Sequence, residues 1–289
     1  MPHMQTQTST SSSTTTLEAA IEPWLQHMTW RRDYVRWRER RIHQENYQEQ
    51  RLEQLEHVAG PLASMRLLDL GAGMGGFAVA AALRGAEVSV SEYNPAYCGI
   101  TWLRAARHGL SLPIVNAAGE ALPFPNHCFD CVVCWDVIEH VQNPRHVLAE
   151  IARVTRAGGT ALITVINRRA WVDPHYHMRA INWLPRPLAE RLIVLRGRSK
   201  QARASFQDMQ RLSEMHYFGF AEFVLLAQSF GFAVRDMREE QLRAGRLHSP
   251  RPARRAVRAG LRMLGLEQAA YRLERDFHTG MFELALVKR

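Results

Sequence analysis

The segment from residue 66 to 95, RLLDLGAGMGGFAVAAALRGAEVSVSEYNP, constrains the fold more than any other part of the chain. It predicts an apolar strand, a glycine-rich turn, a helix and a second strand that ends on Glu92. The glycines indicate that a ligand approaches the backbone, because a Cβ atom would block that approach and the turn needs unusual backbone angles. An acid at the end of the second strand is placed to hydrogen-bond a ribose diol. The unit therefore predicts a nucleoside site at the carboxyl edge of a parallel sheet.

Two nucleotide-binding patterns fit the glycine-rich turn. Gly71, Gly73 and Gly76 match G-x-G-x-x-G, which is typical of dinucleotide sites. Asp69 opens a second pattern, acid-x-G-x-G-x-G, which also uses Gly75. A carboxylate there would repel a pyrophosphate, but it suits a cationic amino group such as the α-ammonium of S-adenosylmethionine. This charge argument favours S-adenosylmethionine over NAD(P); a tight turn with no ligand is the structural alternative.

The next seventy residues continue an alternation of strands and helices. Apolar runs predict three further strands, at residues 112–115, 129–135 and 160–166. The Leu-Pro-Phe-Pro run at 122–125 is not a central strand, because proline donates no ladder hydrogen bond. Apolar residues at helical spacing predict a helix at about 144–156, which Ala157-Gly158-Gly159 would stop.

Residues 66–166 resemble the class I S-adenosylmethionine-dependent methyltransferases, particularly the branch with the motifs LPF, FD, EHV and GG. The likeness continues weakly through residues 229–232 to a last strand from Met281 to Val287. It implies a doubly wound, Rossmann-like α/β sheet of seven strands, six of them mainly parallel and the last antiparallel. It also implies S-adenosylmethionine as the cofactor and methyl transfer as the activity.

The resemblance implies a cofactor site built from four loops of the chain. Its residues are Asp69, Gly71, Ala72, Gly73, Gly75, Gly76, Glu92, Tyr93, Ala118, Gly119, Glu120, Trp135 and Asp136. Ala118 departs from the family, which usually has an acid there that reaches the adenine amino group. Backbone groups or Glu120 would take that role in this chain.

Length and composition predict one large core with an appendage, since 289 residues are 46% apolar. Residues 1–16 are mostly Thr, Ser and Gln and are predicted to be a disordered tail. Residues 17–58 predict a cap of one or two polar helices, which either packs across the fold or forms a lid over the cofactor cleft. Residues 59–289 would form the methyltransferase domain. No apolar run is long enough to span a bilayer and no signal-like core is seen, so a cytoplasmic protein is expected.

Three of the four cysteines stand at C-x-x-C-x-x-C spacing, at Cys128, Cys131 and Cys134. Cys131 and Cys134 fall three apart in one predicted strand, so they would point to opposite faces. Ile138 stands where a ferredoxin-type run would have its fourth ligand. The cysteines are therefore interpreted as free, buried, apolar side chains rather than metal ligands.

The net charge of +9 is concentrated in one part of the chain. Residues 17–58 and 59–166 each carry −1, whereas residues 167–275 carry 21 basic and 10 acidic side chains, a net +11. The excess is either a solvated surface or a site for an anionic substrate or a membrane. No nucleic-acid-binding motif is present, so no nucleic-acid partner is expected.

The basic part is predicted to hold two helical insertions, at 167–215 after strand five and at 240–275 after strand six. The second has apolar residues from Ala256 to Leu266 that could share one helical face. Arginines at 254, 255, 258 and 262 surround that face. Such helices lie on membrane surfaces or simply pack on a core, so peripheral contact with the inner membrane surface is a hypothesis.

Methyl transfer to oxygen requires a base, and the first candidate cluster is Asp136-x-x-Glu139-His140. Positions i, i+3 and i+4 share one face of a helical turn, so these side chains could also hold a divalent ion. A similar turn occurs in the polyprenyl-catechol O-methyltransferases, which this segment resembles. We favour cofactor contact for Asp136 and no metal.

The second candidate cluster is Asp173, His175 and His177, which alternate and would converge if the segment were extended. The candidate catalytic residues are thus His140, His175 and His177. The motifs after strand five are similar to those of bacterial methyltransferases of glycan and glycolipid pathways. The hypothesis is therefore methylation of a hydroxyl oxygen on a small molecule, a sugar or a lipid-linked acceptor, anionic in keeping with the charge. The alternatives are an NAD(P)-binding oxidoreductase and a non-catalytic, methyltransferase-like binding protein.

Overall fold

A single seven-stranded sheet organises the chain. The computed structural model describes residues 16–29, 31–196, 210–247 and 252–289. Their strands are β1 (Arg66–Leu70), β2 (Glu87–Glu92), β3 (Ile114–Asn116), β4 (Phe129–Cys134), β5 (Thr155–Ile166), β6 (Phe232–Asp236) and β7 (Met281–Lys288). They are ordered β3-β2-β1-β4-β5-β7-β6, with β7 antiparallel to both of its neighbours. The predicted seven-stranded, doubly wound sheet with an antiparallel last strand is confirmed.

Helices flank both faces of the sheet. Those in the described residues are α1 (Leu17–Leu25), α2 (Tyr34–Ile42), α3 (Glu49–Ala59), α4 (Gly76–Leu83), α5 (Pro95–Arg107), α6 (Pro144–Val154), α7 (Arg186–Leu195), α8 (Phe220–Gln228), α9 (Met237–Arg243), α10 (Pro252–Met263) and α11 (Glu267–Phe277). Within these ranges, no helix combines the length and the apolar character needed to cross a membrane.

Alternate residues of each strand supply two apolar cores, because successive side chains point to opposite faces. Leu68 of β1 belongs to the core beneath α6 and α8, whereas its neighbour Leu67 belongs to the core beneath α3 and α4. Cys131 and Cys134 likewise fall in different cores and are free thiols. The prediction that they are buried on opposite faces is confirmed.

The strand order reverses between β1 and β4, because β2 and β3 lie on one side of β1 and the remaining strands lie beyond β4. At such a point the loops after neighbouring strands diverge and leave a crevice at their carboxyl ends. The glycine-rich turn follows β1, and Trp135 and Asp136 follow β4. The topology therefore places these two segments on either side of one crevice.

Some predicted boundaries are wrong by a few residues. The third strand begins at Ile114 rather than at residue 112. Helix α6 ends at Val154, and the three residues predicted to stop it, 157–159, lie inside β5. The pairing of β4 with β5 shifts register near its start. The glycines are therefore part of the strand, and the helix ends before Thr155, which has an extended backbone.

The cap and the insertions hold more helices than the sequence suggests. Residues 17–58 form three α-helices, and Thr16 caps α1 by accepting a hydrogen bond from the N–H of Ala19. All but Thr16 of the tail predicted at 1–16 lies outside the described residues, as do 197–209 and 248–251 of the insertions. The second insertion forms two helices, α10 and α11, where one helical face was predicted.

Candidate active site

The glycine-rich loop joins β1 to α4 with backbone angles that favour glycine. Gly71 and Gly73 have φ values of +71° and +56°. A Cβ atom on Gly71 would lie 2.4 Å from Cγ2 of Val137, so packing alone excludes a side chain there. A Cβ atom on Gly73 would meet no atom of the described residues within 4 Å. Gly73 therefore faces open space from which a ligand can reach the backbone.

That space is a cleft of about 510 Å³ between the glycine-rich loop and the helical cap. The sheet side of the cleft is lined by Asp69, Gly71, Ala72, Gly73, Met74, Phe77, Tyr97, Trp135 and Asp136. The cap side is lined by Trp24, Leu25, His27, Met28, Arg31, Trp37, Arg41, Gln44 and Arg51. Its size and its mixture of aromatic and charged groups suit a nucleoside-sized ligand.

Asp69 is the acid on the sheet side of the cleft. It is 4% exposed, and its Oδ2 atom has no hydrogen-bond partner among the described residues. Burial raises the pKa of Asp69 to about 7; Arg51 opposes the rise and Glu92 adds to it. A buried carboxylate oxygen without a donor is costly. Asp69 is therefore suited to receive a cationic group from a ligand.

Two arginines of the cap face the same cleft. Within the described ranges the Arg41 guanidinium makes no ion pair, and it lies 5.4 Å from the Trp37 ring. Arg51 lies 4.7 Å from the Trp135 ring and 3.3 Å from Oδ2 of Asp136. The cleft thus offers a buried acid on one wall and cations on the other, which can hold both ends of a zwitterion.

A buried arginine, Arg104 of α5, ties the cap to the glycine-rich loop. It is fully buried and donates to the carbonyl of Met74 in the loop at 2.7 Å and to that of Ile42 in the cap at 2.8 Å. It also pairs with Glu45. Burial would raise the pKa of Glu45, but hydrogen bonds from His108 and Arg104 outweigh it and lower the pKa to about 2. The relative position of cap and loop is therefore held by a buried, charged network.

Glu92 braces the loop from the end of β2. Its Oε2 accepts a hydrogen bond from the N–H of Gly73 and its Oε1 from the N–H of Asn94, both at 2.8 Å. Glu92 is 8% exposed and does not line the cleft directly. Glu92 therefore lies directly beside the backbone of Gly73, where the loop is open to a ligand.

Six of the thirteen predicted cofactor residues line the cleft, and the other seven do not. Those that line it are Asp69, Gly71, Ala72, Gly73, Trp135 and Asp136. Gly75 and Gly76 are instead required by packing, because a Cβ atom on either would lie 2.4 Å from a side-chain atom of Thr101 or Gln44. Tyr93 is 61% exposed and outside the cleft lining.

The turn 118–120 does not line the cleft either. Gly119 lies against Val147, with 3.4 Å from its built Cβ position to Cγ2. Ala118 closes the turn by accepting a hydrogen bond from the N–H of Ala121 at 3.1 Å. Glu120, the predicted substitute for the missing acid, accepts hydrogen bonds from the N–H groups of residues 142 and 143, before α6. Its carboxylate is therefore engaged in positioning α6.

Asp136 has a positive φ of +58°, which is uncommon outside glycine and is often found at functional sites. Its N–H donates to Oγ1 of Thr164 at 2.7 Å, which holds the conformation in place. Asp136, Trp135 and Arg51 also line a second cavity of about 190 Å³ over β5 and β7. The Arg51–Asp136 ion pair therefore stands between the cofactor-sized cleft and a smaller cavity beside it.

Glu139, His140 and His175 form a separate cluster beyond the carboxyl ends of β4 and β5. Their ligand atoms all lie within 4.8 Å of one another, and the two imidazole rings are 5.1 Å apart. Glu139 is 1% exposed, and burial raises its pKa to about 8. A carboxyl group with two imidazoles is a donor set that can relay a proton or hold a divalent ion.

The structure changes the composition of both predicted histidine clusters. Asp136 is turned toward Arg51 and Thr164, and His175 takes its place beside Glu139 and His140. The segment 173–177 is a turn rather than extended, because Oδ1 of Asp173 accepts hydrogen bonds from the N–H groups of residues 175 and 176. His177 is exposed with φ +51° and lies outside the cluster. The predicted convergence of Asp173, His175 and His177 is therefore wrong.

Several cleft residues were missed by the sequence reasoning. Arg41 and Arg51 line the cleft from polar helices of the cap, and Trp24 and Tyr97 line it from α1 and α5. None of the four belongs to a motif. The aromatic residues of the cap were a usable signal, because an otherwise polar helix has little reason to carry them unless they contact another part of the protein.

Comparison with known proteins supports this description of the fold. Residues 68–163 match the family model of a methyltransferase domain. Ubiquinone biosynthesis O-methyltransferase from Aeromonas salmonicida is 34% identical over 120 residues, which are 41% of this chain and 50% of the relative. The enzyme of the same name from Cereibacter sphaeroides is 32% identical over 132 residues, 44% and 52% of the two chains. The chain thus spans about half the length of these curated relatives.

Two solved structures share the fold at low sequence identity. The YcgJ protein of Bacillus subtilis is 17% identical, with a TM-score of 0.50 over 83% of this chain and 99% of its own. Phosphoethanolamine N-methyltransferase 2 of Haemonchus contortus, solved with S-adenosyl-L-methionine, is also 17% identical, with a TM-score of 0.51 over 83% and 52% of the chains. Residues 68–163 are thus a methyltransferase domain, in agreement with the resemblance of the motifs to the class I S-adenosylmethionine-dependent methyltransferases.

Proposed function

We propose that this protein binds S-adenosylmethionine in the cleft beneath the helical cap and transfers its methyl group to a hydroxyl oxygen. The observation that carries the proposal is the charge arrangement of the cleft. The buried oxygen of Asp69 suits an ammonium group, and the cations Arg41 and Arg51 suit a carboxylate. The amino-acid end of S-adenosylmethionine carries both groups, whereas a dinucleotide would bring its pyrophosphate close to Asp69.

The remainder of the cofactor fits the same frame. Gly73 leaves the backbone open to the ribose, and Glu92, bonded to the Gly73 N–H, is placed for the diol. Trp24, Trp37 and Tyr97 provide aromatic surface in the cleft for a base to contact. Because Glu120 is engaged near α6, backbone groups are the better candidates for recognising the adenine amino group.

On the acceptor side, we assign the base to the pair His140 and His175. S-adenosylmethionine supplies a methyl group that is already activated on a sulfonium, so the chain needs only to position the acceptor and take its proton. The C–S bond breaks as the C–O bond forms, and the hydroxyl proton passes to an imidazole. Glu139 is buried within 4 Å of both rings, and in its ionised form it would stabilise the imidazolium that results. This role needs no metal, so activity is expected to survive treatment with EDTA.

The acceptor is proposed to be a small hydroxylated molecule, a sugar or a lipid-linked compound with an anionic group. An oxygen acceptor is supported by the relatives named as O-methyltransferases. An anionic group is supported by the net charge of +11 in residues 167–275.

Calorimetry tests the cofactor, with S-adenosylhomocysteine and NAD as the competing ligands. We expect heat with the first and none with NAD, and we expect Asp69→Asn to weaken binding. Glu53→Gln, which changes an exposed acid of α3, is the matched control. Heat with NAD alone would replace the proposal with the oxidoreductase alternative.

A labelled methyl donor added to soluble and lipid fractions of cells identifies the acceptor. Label in an alkali-stable ether would support oxygen as the acceptor atom. A protein that binds the cofactor and labels no fraction would support the non-catalytic alternative.

A further inference from the structure

Helix α10 turns its apolar side away from the protein. Val257 and Met263 are 64% and 88% exposed, and Leu264, directly after the helix, is 72% exposed. None of its described side chains is buried. An amphipathic helix normally covers its apolar stripe against a core. An apolar stripe that faces outward indicates an external partner.

The arginines of α10 lie away from its apolar side, and Arg255 and Arg262 are exposed. Arg258 donates to the carbonyl of Leu247 at 3.0 Å, and Arg262 donates to Glu267 at 2.7 and 2.9 Å. At 100° per residue, these arginines stand on a different side of the helix from Val257 and Leu264. The apolar side of α10 is therefore not packed on a core, unlike that of most amphipathic helices.

Helix α11 also exposes apolar side chains. Its inward side is polar: the Tyr271 hydroxyl donates to Asp236 at 2.9 Å, and Arg275 lies 3.4 Å from the same carboxylate. Leu273 and Phe277, one turn apart, are 64% and 45% exposed. Two consecutive helices therefore present apolar side chains outward. We call Val257, Met263, Leu264, Leu266, Leu273 and Phe277 the outer apolar surface.

We propose that the outer apolar surface docks on an anionic lipid bilayer. The two helices would lie in the plane of the interface, with these side chains inserted at the boundary between head groups and acyl chains. Helix α10 has four arginines and no acid, and arginine side chains reach lipid phosphates while their stems stay at apolar depth.

The charge of α10 favours a membrane over a second copy of the chain. A contact between two identical α10 surfaces would bring their arginines together, and like charges at short range repel. An anionic bilayer reverses the sign of that interaction. The proposal does not rest on methyl transfer, because docking requires neither cofactor nor turnover.

Vesicle co-sedimentation of the full chain tests the proposal. We expect association with phosphatidylglycerol-containing vesicles and at least tenfold weaker association with pure phosphatidylcholine vesicles. The double variant Val257→Glu/Leu264→Glu should lose at least tenfold in association with the anionic vesicles. Leu225→Glu on α8, at a site that is 67% exposed, introduces the same charge elsewhere and should leave association unchanged.

Thermal unfolding and light scattering complete the test. The double variant should keep the melting temperature of the parent, because the substituted sites are exposed. A large fall in that temperature would mean that the surface is covered by another part of this chain, and it would overturn the proposal. Equal association with neutral vesicles, no association at all, or a parent dimer that the double variant converts to a monomer would overturn it as well.

Discussion

Helices α6 and α10 have the same kind of amphipathic pattern, but only α6 buries its apolar face. In α6, Val147, Leu148 and Ile151 are fully buried against the sheet. In α10, Val257 is 64% exposed, and among the described side chains of the helix only Arg258 and Leu261 are even partly buried. The comparison teaches that helical periodicity shows that a helix has an apolar partner, and does not show whether that partner is the core.

The parts of the chain that carry these two helices also differ in net charge. Residues 59–166, which carry the glycine-rich loop and α6, have a net charge of −1, and residues 167–275 have +11. The charged side chains of the first region act through individual contacts, such as that of Asp69 in the cleft. The excess positive charge of the second region produces an electrostatic potential that attracts an anionic partner from a distance. Changes to the two regions should therefore affect different measurements.

The largest effect is expected from Gly73→Val in the first region. The side chain would fill the space in front of the loop, so cofactor affinity should fall at least a hundredfold by calorimetry. Gly245→Val is the matched control, because Gly245 also has a positive φ, +68°, and open space within 4 Å. Equal cofactor affinity in Gly73→Val and the parent would mean that the cofactor does not approach this backbone.

The histidine pair should control turnover rather than binding. His140→Gln and His175→Gln should each lower kcat by roughly 10²–10⁴, the usual range for loss of a general base. Cofactor affinity should stay within about threefold of the parent. His177→Gln, outside the cluster, serves as the control. A loss of turnover in His177→Gln alone would move the base to that residue.

Replacing one leucine by alanine in α6 and one directly after α10 tests the comparison of the two helices. Leu148→Ala should lower the free energy of unfolding by about 2–5 kcal/mol, because it opens a cavity in a packed core. Leu264→Ala should change it by less than about 0.5 kcal/mol, since the side chain is already exposed. Denaturant unfolding measures both. Similar losses would show that α10 is packed like α6.

The pH dependence of cofactor affinity should report Asp69. Its pKa of about 7 lies above that of an ordinary carboxyl, so Asp69 is mostly protonated in the folded protein below that pH. A cationic group binds the ionised form, so affinity should rise as pH increases from 6 to 8, by about tenfold as Asp69 ionises. Asp69→Asn should flatten this dependence, which also separates it from titration of the ligand. An unchanged profile in the variant would show that Asp69 does not meet the cation.

The smallest expected effect is that of salt concentration on cofactor affinity, and it should distinguish the two regions. Raising salt from 50 to 500 mM shortens the Debye length from about 14 to about 4 Å. Association with anionic vesicles should fall strongly, and the KM for an anionic acceptor should rise. Cofactor affinity, which depends on close contacts in a near-neutral region, should change by less than about tenfold. Equal salt sensitivity of both would leave the basic region as a solvated surface.

Much of the fold was predictable because its signals are local. An apolar run followed by glycines, a helix and a second strand specifies a βαβ unit through periodicity and backbone preference. Asp69, Gly71 and Gly73 could be assigned to the cleft from this unit alone. The adenine-side assignments stay a prediction, because a turn such as 118–120 is placed by family likeness and not by a local physical requirement.

The sequence by itself determined the strand and helix pattern, the glycine-rich loop with its acid, and the separation of neutral and basic regions. Only the tertiary structure decided which distant side chains meet. Arg51 reaches Asp136 across 85 residues, and His175 rather than Asp136 joins Glu139 and His140. Periodicity describes which face a residue occupies on its own element. The neighbour of that face depends on strand order, on crossing connections and on how the cap is tied down by Arg104, none of which is written in any single segment.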